Sequence, residues 1–495
     1  MVAIKKQLLK ILALFCLLNA CNDKTYDPEL MPPNILFIIT DDQSWEHLGS
    51  YGDKAVRTPA IDQLASEGVR FENAYTAAPS CSPSRAGILT GQDVYRLKEG
   101  GVLTGILWGE YDLFPEILSE NGYHVGATGK RYWPRTRNVE GAIDEPIGEI
   151  YDKQRHDSVP TGISKNHYSA NFKQFLEENT EGEPFFFWVG IGEPHIKYEI
   201  NRGIETGIDT SKIRVPEFFP DVPVARLNMA DYMSEIEWAD KAVAEMLEIL
   251  ESKGLKDNTL VIFTSDNGMP LPRSKATLYD HGVRMPLVVR WGDRVKANRV
   301  VSDPVSLIDM APTFLDLAGI EIPGMMTGRS IKNLLFSEKS GDLDKEREFV
   351  VSTFEKHTLC RPDSMGYPRR AIHTEDWTYI INYEPHRYPL GNSDLFIPNW
   401  DVLGDTDPTR LKMYYKENMD NPEFKWYWDL AFGKVPGEQL FNKNDDRDMI
   451  KNLADDPEYK AIKEELKEKL EKYLLETDDP RASGESPWDD YNLDK

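Results

Sequence analysis

Two pairs of oxygen-bearing side chains, one Asp-Asp and one Asp-Asn, stand where chemistry could gather. Asp41-Asp42 follows the apolar run Asn34-Ile-Leu-Phe-Ile-Ile-Thr40, and Asp266-Asn267 follows a similar run, Thr259-Leu-Val-Ile-Phe-Thr-Ser265. A hard divalent cation takes several oxygen ligands, and consecutive carboxylates leaving a strand on a sharp turn can supply them. Such pairs also make turns and helix caps, so both readings stand at this point. Cys81, in Ser80-Cys-Ser-Pro-Ser-Arg-Ala-Gly-Ile-Leu-Thr-Gly91, is either a reactive centre or a buried cysteine beside a Pro-Ser turn. His195, in Glu193-Pro-His, carries an imidazole that can protonate a leaving atom near neutral pH, or is an ordinary loop histidine. Lys130 follows Thr128-Gly129, and a lone lysine is most often a solvated surface charge.

The elements that must position these residues are legible. Uninterrupted apolar runs fit strands covered on both faces, and the runs ending at Thr40 and Ser265 deliver their acids to a sheet's carboxyl edge, where open α/β sheets bind ligands. Tyr123–Thr128, Pro184–Gly190 and Met285–Arg290 read as further strands. Helices are predicted from Thr58 (a cap, with Pro59 in the first turn) to Ala65, and over Tyr111–Glu120, Met229–Ser252 with a stop at Gly254, and Asp309–Leu317. That alternation predicts a large, mostly parallel sheet flanked by helices. From about Gly341 the texture changes to short aromatic strands such as Trp377–Asn382. A charged helix, Glu458–Glu476, follows, with Glu464/Lys467 and Glu468/Lys472 as neighbouring pairs.

The Cys81 stretch resembles the signature of type I sulfatases, a Cys-x-Pro-Ser-Arg core followed by Leu-Thr-Gly. The resemblance extends over nearly the whole chain and implies an alkaline-phosphatase-like α/β fold with a smaller C-terminal four-stranded antiparallel sheet plus helix. It implies that Cys81 is oxidised to formylglycine (3-oxoalanine) by a formylglycine-generating enzyme. A hydrated aldehyde has two hydroxyls on one carbon, one to attack sulfur and one to expel sulfate. It further implies one Ca2+ bound by Asp41, Asp42, Asp266, Asn267 and the modified residue 81. Arg85 would hold the hydrate and sulfate, and Lys130 would bridge them. His195 would protonate the leaving atom, and Lys275, in Lys275-Ala-Thr-Leu-Tyr-Asp-His-Gly282, would contact sulfate.

The chain departs from the family in two places. Many sulfatases carry a histidine two residues after the Gly-Lys lysine, where this chain has Tyr132, and His281 stands where glycine is usual. His281 is either a substrate contact, the reading favoured here, or harmless variation. Within the family, Asp266-Asn-Gly-Met-Pro-Leu-Pro, Glu355-Lys-His357 and Tyr367-Pro-Arg369 look most like heparan N-sulfatases (sulfamidases) and related bacterial polysaccharide sulfatases. That likeness makes His357, Arg361 and Arg369 candidates for lining the sugar pocket.

The bulk properties bound the partners. A net charge of −25 over 495 residues argues against nucleic acid and requires that any sulfate site be a local basic pocket. Lys5, Lys6 and the apolar Leu8–Leu18 read as an export signal, too short to span a bilayer. Leu18-Asn-Ala-Cys21 resembles a bacterial lipoprotein signal, which implies a lipidated Cys21 and a place in the periplasm or on the outer membrane or cell surface. A cleaved secretory peptide is the alternative. With Cys16 removed, Cys21 acylated and Cys81 oxidised, only Cys360 remains, so no disulfide framework exists. The predicted organisation is a signal peptide over 1–20, a tether over 21–32, a catalytic domain over 33–340 and a smaller subdomain over 341–495. The predicted function is release of sulfate from sulfated carbohydrates, such as O-sulfated ulvan or glycosaminoglycan. The rivals are N-sulfoglucosamine hydrolysis, a phosphatase or phosphodiesterase on the same fold, and an inactive glycan-binding lipoprotein.

Overall fold

The computed structural model describes residues 32–103, 105–132, 139–391 and 403–489. The export signal, the tether and Cys21 lie outside the described residues.

Strand β1 (Asn34–Thr40) is buried along its whole length, as its apolar sequence requires. Ile35, Phe37 and Ile39 face a core that also holds Trp188, Ile262 and Phe314. Leu36 and Ile38 face another with Phe187, Val189, Met233 and Ile236. A strand's side chains alternate between faces, so this residue set belongs at the centre of a sheet covered on both sides. Each such side chain contributes about 1.5–3 kcal/mol by leaving water.

The larger sheet also contains β2 (Val69–Tyr75), β3 (His124–Gly129), β4 (Glu149–Ile150), β5 (Phe185–Gly190), β6 (Thr259–Ser265), β7 (Arg284–Arg290), β8 (Arg299–Val301) and β9 (Val305–Ser306). Its order is β4-β3-β5-β1-β6-β7-β2-β8, with β9 beside β2. From β4 to β6 every pairing is parallel. β7 runs antiparallel to both β6 and β2. The reason is local: β7 begins directly after the short Asp280–Val283 helix, at the carboxyl end of β6, and must run back.

Register aligns the strand ends. Gly129 pairs with Gly190, Ile39 with Gly190 and Thr40 with Ser265. Four neighbouring strands therefore end level, and the segments leaving them emerge side by side.

The predicted helices form with shifted starts. The second begins at Phe114 and the long one at Pro223, each with proline in the first turn, where its missing N–H costs nothing. Thr58 does not cap its own helix; its hydroxyl donates to Asp62 Oδ1 at 3.1 Å. Asp240, on the Pro223–Ser252 helix, instead accepts the Ala60 and Ile61 N–H groups at 3.2 and 2.9 Å.

The second sheet is antiparallel, in the order β10 (Val350–Phe354), β11 (Arg369–His373), β12 (Trp377–Asn382), β13 (Glu438–Asn442). The Lys460–Glu476 helix lays Leu466, Leu470 and Leu474 on it, one helical turn apart. The charge pairs expected within this helix give way to others. Lys467 donates to Glu438 on β13 at 3.2 Å, and Lys472 pairs with Glu476 at 3.7 Å. A carboxylate fixed on the sheet below competes well with one on a mobile stem.

From Pro33 onward the chain packs as one unit. Ser352 Oγ donates to Thr76 O at 2.6 Å and Thr353 N to Ala77 O at 2.8 Å, joining β10 to the loop before Cys81. The chain between β12 and β13 also returns to the larger part. There Leu411 N donates to Asn228 Oδ1 at 2.9 Å and Tyr415 OH to Phe218 O at 2.7 Å.

Candidate active site

The four level strand ends build the floor of the site. Asp41 and Asp42 leave β1, Asp266 and Asn267 leave β6, Lys130 leaves β3, and Glu193-Pro-His195 follows β5. Asp42 turns the chain with a φ of 69°, a left-handed conformation that aspartate tolerates. Its N–H donates to Asp266 Oδ1 at 3.1 Å, locking the two turns together.

Asp41, Asp42, Asp266 and Cys81 place one ligand atom each within 4.8 Å of one another, all buried. Asn267 Nδ2 donates to Asp42 Oδ1 at 2.7 Å. Asp41 Oδ1 and Asn267 Oδ1 are buried without any hydrogen-bond partner. Burial raises the Asp266 carboxyl to about 6, and its neighbour Asp41 adds to that. Burial also opposes ionisation of Asp41, but Lys130, His195, Arg85 and Lys275 together outweigh it and hold this carboxyl well below the usual range. Clustered buried carboxylates and two orphaned oxygens form the donor set of a hard cation such as Ca2+. The residues fit the metal that the sequence implies.

Cys81 opens the ten-residue helix Cys81–Thr90, after Ser80 in an extended conformation. Residue 81 therefore sits where unpaired helix N–H groups and the helix dipole favour an anion. Its Sγ lies 3.7 Å from Asp42 Oδ1. Burial, then the Asp41 charge, pushes the thiol well above its ordinary pKa, so an unmodified cysteine here is a poor nucleophile.

The cations around residue 81 differ in what they can reach. Arg85 is fully buried; Nε donates to Asp266 Oδ2 at 2.7 Å and Nη1 to Lys130 O at 2.5 Å. It stands behind the floor and does not line the cleft, so its contact is to the acid cluster. Lys130 Nζ reaches Asp41 Oδ2 at 2.5 Å. It depends on Gly129 and Gly190: a Cβ on Gly190 would meet Lys130 O at 1.6 Å. Lys275 Nζ lies between Asp42 Oδ2 at 2.8 Å and Asp407 Oδ2 at 3.1 Å. Burial disfavours its charge, but Asp407 and Asp42 hold its pKa well above the ordinary lysine value. His195 Nε2 is 3.7 Å from Asp42 Oδ2, while Nδ1 lies 2.7 Å from Ile196 O, which fixes a proton on Nδ1 and leaves Nε2 toward the cleft.

These groups open into a cleft of about 820 Å³ that Asp41, Cys81, Lys130, His195, Lys275 and His357 all line. His357 is the one sugar-pocket candidate that lines it. Its Nδ1 lies 2.7 Å from Ser80 Oγ, and burial lowers it to about 4, so it is neutral near pH 7. The other three, expected there, do not line it. His281 is buried, with Nε2 2.9 Å from Asp448 Oδ1 and its ring edge-on to Phe218. Arg361 is held by Asp405 at 2.7 Å and by the carbonyls of Tyr388 and Pro389. Arg369 donates to Ala276 O at 2.7 Å and stacks over Tyr367 and Phe354. All three are buried and held by these partners inside the protein. Tyr132 lines the cleft, but its hydroxyl donates to Gly105 O, and burial raises its pKa well above the ordinary phenol value.

Sequence reasoning missed the walls. Asp407, in Asp405-Thr-Asp-Pro408, lines the cleft and pairs with Lys275, 132 residues away; its own sequence reads only as a turn. Asp152 accepts the Gly129 N–H at 2.8 Å and the Thr128 hydroxyl at 3.0 Å, and so holds the turn before Lys130. Glu193, buried between Tyr168 OH at 3.0 Å and Ser164 N at 2.7 Å, anchors the approach to His195. No local pattern marks any of them.

Comparison with known proteins matches this arrangement. The sequence profile described as Sulfatase matches residues 33–320, and that described as N-sulphoglucosamine sulphohydrolase, C-terminal, matches 273–393. The human N-sulphoglucosamine sulphohydrolase is 27% identical, over 91% of this chain and 91% of that protein. An ulvan-active sulfatase of Formosa agariphila is 27% identical, over 92% of this chain and 76% of that protein. A protein solved in complex with its substrate, D-glucosamine-2-N,6-O-disulfate, shares the fold with a TM-score of 0.68 at 19% identity, over 92% of this chain and all of that one. With the profile covering the strands that carry every residue of the floor, the chain belongs to the sulfatase family and is a sulfuric ester hydrolase.

Proposed function

We propose that this enzyme releases sulfate from sulfated carbohydrates, with residue 81 converted to formylglycine and Ca2+ held by Asp41, Asp42, Asp266 and Asn267. One observation carries the reading: the helix opening at Cys81 points into an acid cluster with two orphaned oxygens, and two lysines and a histidine surround it. When present, calcium would neutralise sulfate charge and the aldehyde hydrate would supply one hydroxyl to attack and one to release sulfate. Lys130 and Lys275 hold sulfate oxygens from two sides, each kept charged by the aspartates it touches. His195, as the imidazolium, keeps its Nδ1 proton on Ile196 O and donates the Nε2 proton from its cleft-facing edge to the departing sugar atom, returning to the neutral ring. Arg85 is a positioning residue, neutralising Asp266 from behind and holding the Lys130 backbone.

The carbohydrate reading is supported by the named relatives, which act on ulvan and N-sulphoglucosamine. A second reading, hydrolysis of a sugar N-sulfate, is favoured by the profile match over 273–393, which includes Lys275. The proposal extends to maturation by a formylglycine-generating enzyme and to export with a lipidated Cys21. Among the described residues no helix is long and apolar enough to cross a membrane. The test is sulfate release by ion chromatography after co-expression with the maturing enzyme and confirmation of conversion by peptide mass. Glucosamine N-sulfate would be compared with O-sulfated algal and glycosaminoglycan oligosaccharides. Cys81→Ala is expected to keep the fold and abolish turnover; release at the wild-type rate would refute the scheme.

A further inference from the structure

The charged side chains of the cleft are largely engaged within the protein. Lys130 meets Asp41, Lys275 meets Asp42 and Asp407, and Arg131 meets Asp152 at 3.0 Å and Glu145 at 3.3 Å. Arg155 differs. It lines the same cleft, is exposed, and makes no side-chain hydrogen bond or ion pair among the described residues.

Its backbone is nonetheless pinned. Arg155 pairs with Asn166 in a β-bridge, flanked by Gln154 N donating to Asn171 Oδ1 at 2.9 Å and His156 N to Lys165 O at 2.8 Å. Asn166 Nδ2 in turn donates to Thr128 Oγ1 at 3.0 Å and to Asp152 Oδ1 at 2.9 Å, tying this wall to the turn that carries Lys130. A free guanidinium on a fixed stem is a binding group in waiting, with paired N–H donors that match carboxylate or sulfate oxygens. The part of the lining formed by Asp407 and His357 has the other character. Burial opposes the Asp407 charge, but its neighbours, Lys275 first, outweigh it and hold the carboxyl below its ordinary pKa, while burial keeps His357 neutral near pH 7.

We infer that Arg155 binds a second anionic group of the substrate, a carboxylate or a further sulfate. The saccharide then extends from the strand ends toward Arg155. The inference rests on the reading of the cleft as a site for sulfated sugar. It adds that the preferred substrate carries at least two acidic groups. In a protein of net charge −25, a second cation in the cleft also offsets the general repulsion of a polyanion.

The test measures binding without turnover. Calorimetry on C81A and C81A/R155Q would use three probes: glucosamine N-sulfate, glucosamine N,6-disulfate and a monosulfated disaccharide containing a uronate. The expected result is a loss of about tenfold in affinity for the disulfate, the uronate disaccharide or both, with the monosulfated sugar within about twofold. The ligand that weakens identifies the second anion, and R155K recovers part of the loss. Equal weakening of all three, no weakening of any, or failure of C81A to bind either doubly charged probe overturns the inference. Mature wild-type enzyme that binds these sugars but releases no sulfate would count against the proposed function instead, and the binding contrast would still decide on Arg155.

Discussion

Arg85→Leu tests the logic of the floor most directly. The guanidinium and the Asp266 carboxylate are both fully inaccessible to water, with Nε 2.7 Å from Oδ2. Burying two charges is costly, and their attraction roughly repays it; removing one partner leaves the other charge stranded, at about 3–5 kcal/mol. The variant also withdraws the donor to Lys130 O, a further cost of about 1–3 kcal/mol if no water replaces it. Asp266, already raised to about 6 by burial with Arg85 present, would resist ionisation further and lose its value as a metal ligand. We expect a drop in unfolding free energy of at least about 3 kcal/mol by urea titration in chelator, with Asp266→Leu in the same background restoring part of it. The loss in the single variant should also exceed that in Arg85→Lys, which retains a charge without the fork. A cost below about 1 kcal/mol, or strict additivity in the double variant, would refute the view of Arg85 as the counter-charge of this cluster.

Three further outcomes are expected. Glu235 is buried with both carboxylate oxygens unpartnered, and burial, then Glu193, raises it to about 9. Below pH 4.5 it is protonated folded or unfolded; above that only the unfolded chain ionises, so stability falls as pH rises until about 9. Glu235→Gln should therefore match wild type near pH 4 and exceed it by about 3 kcal/mol at pH 7 in denaturant titrations, and equal stability at both pH values would contradict this. Tyr132→Phe should keep kcat within about threefold and cost about 1 kcal/mol of stability, because its hydroxyl donates to Gly105 O; a fall in kcat of about a hundredfold would instead make it a proton carrier in place of the family's histidine. Chelation should remove sulfate release and lower the melting temperature, with Ca2+ restoring both, and an unchanged melting temperature would argue against the cation site.

The chemistry of the site was legible because it is written locally. The apolar runs ending at Thr40 and Ser265 are strands by their own composition, and the acids after them must appear at strand ends. The Cys81 stretch contains its own turn and helix start. What the sequence determined by itself is thus the α/β class, the family and which residues stand at the strand ends. Tertiary structure decided which distant residues complete the site. Arg361, Arg369 and His281 have the right chemistry for a sugar pocket, yet Asp405, the carbonyl of Ala276 and Asp448 claim them inside the protein. Asp407 and Arg155, which no local pattern marks, both line the cleft. Whether a charge is consumed by a partner or left for a ligand depends on what the fold brings within about 4 Å of it, across separations of a hundred residues or more, and local pattern carries no record of that distance.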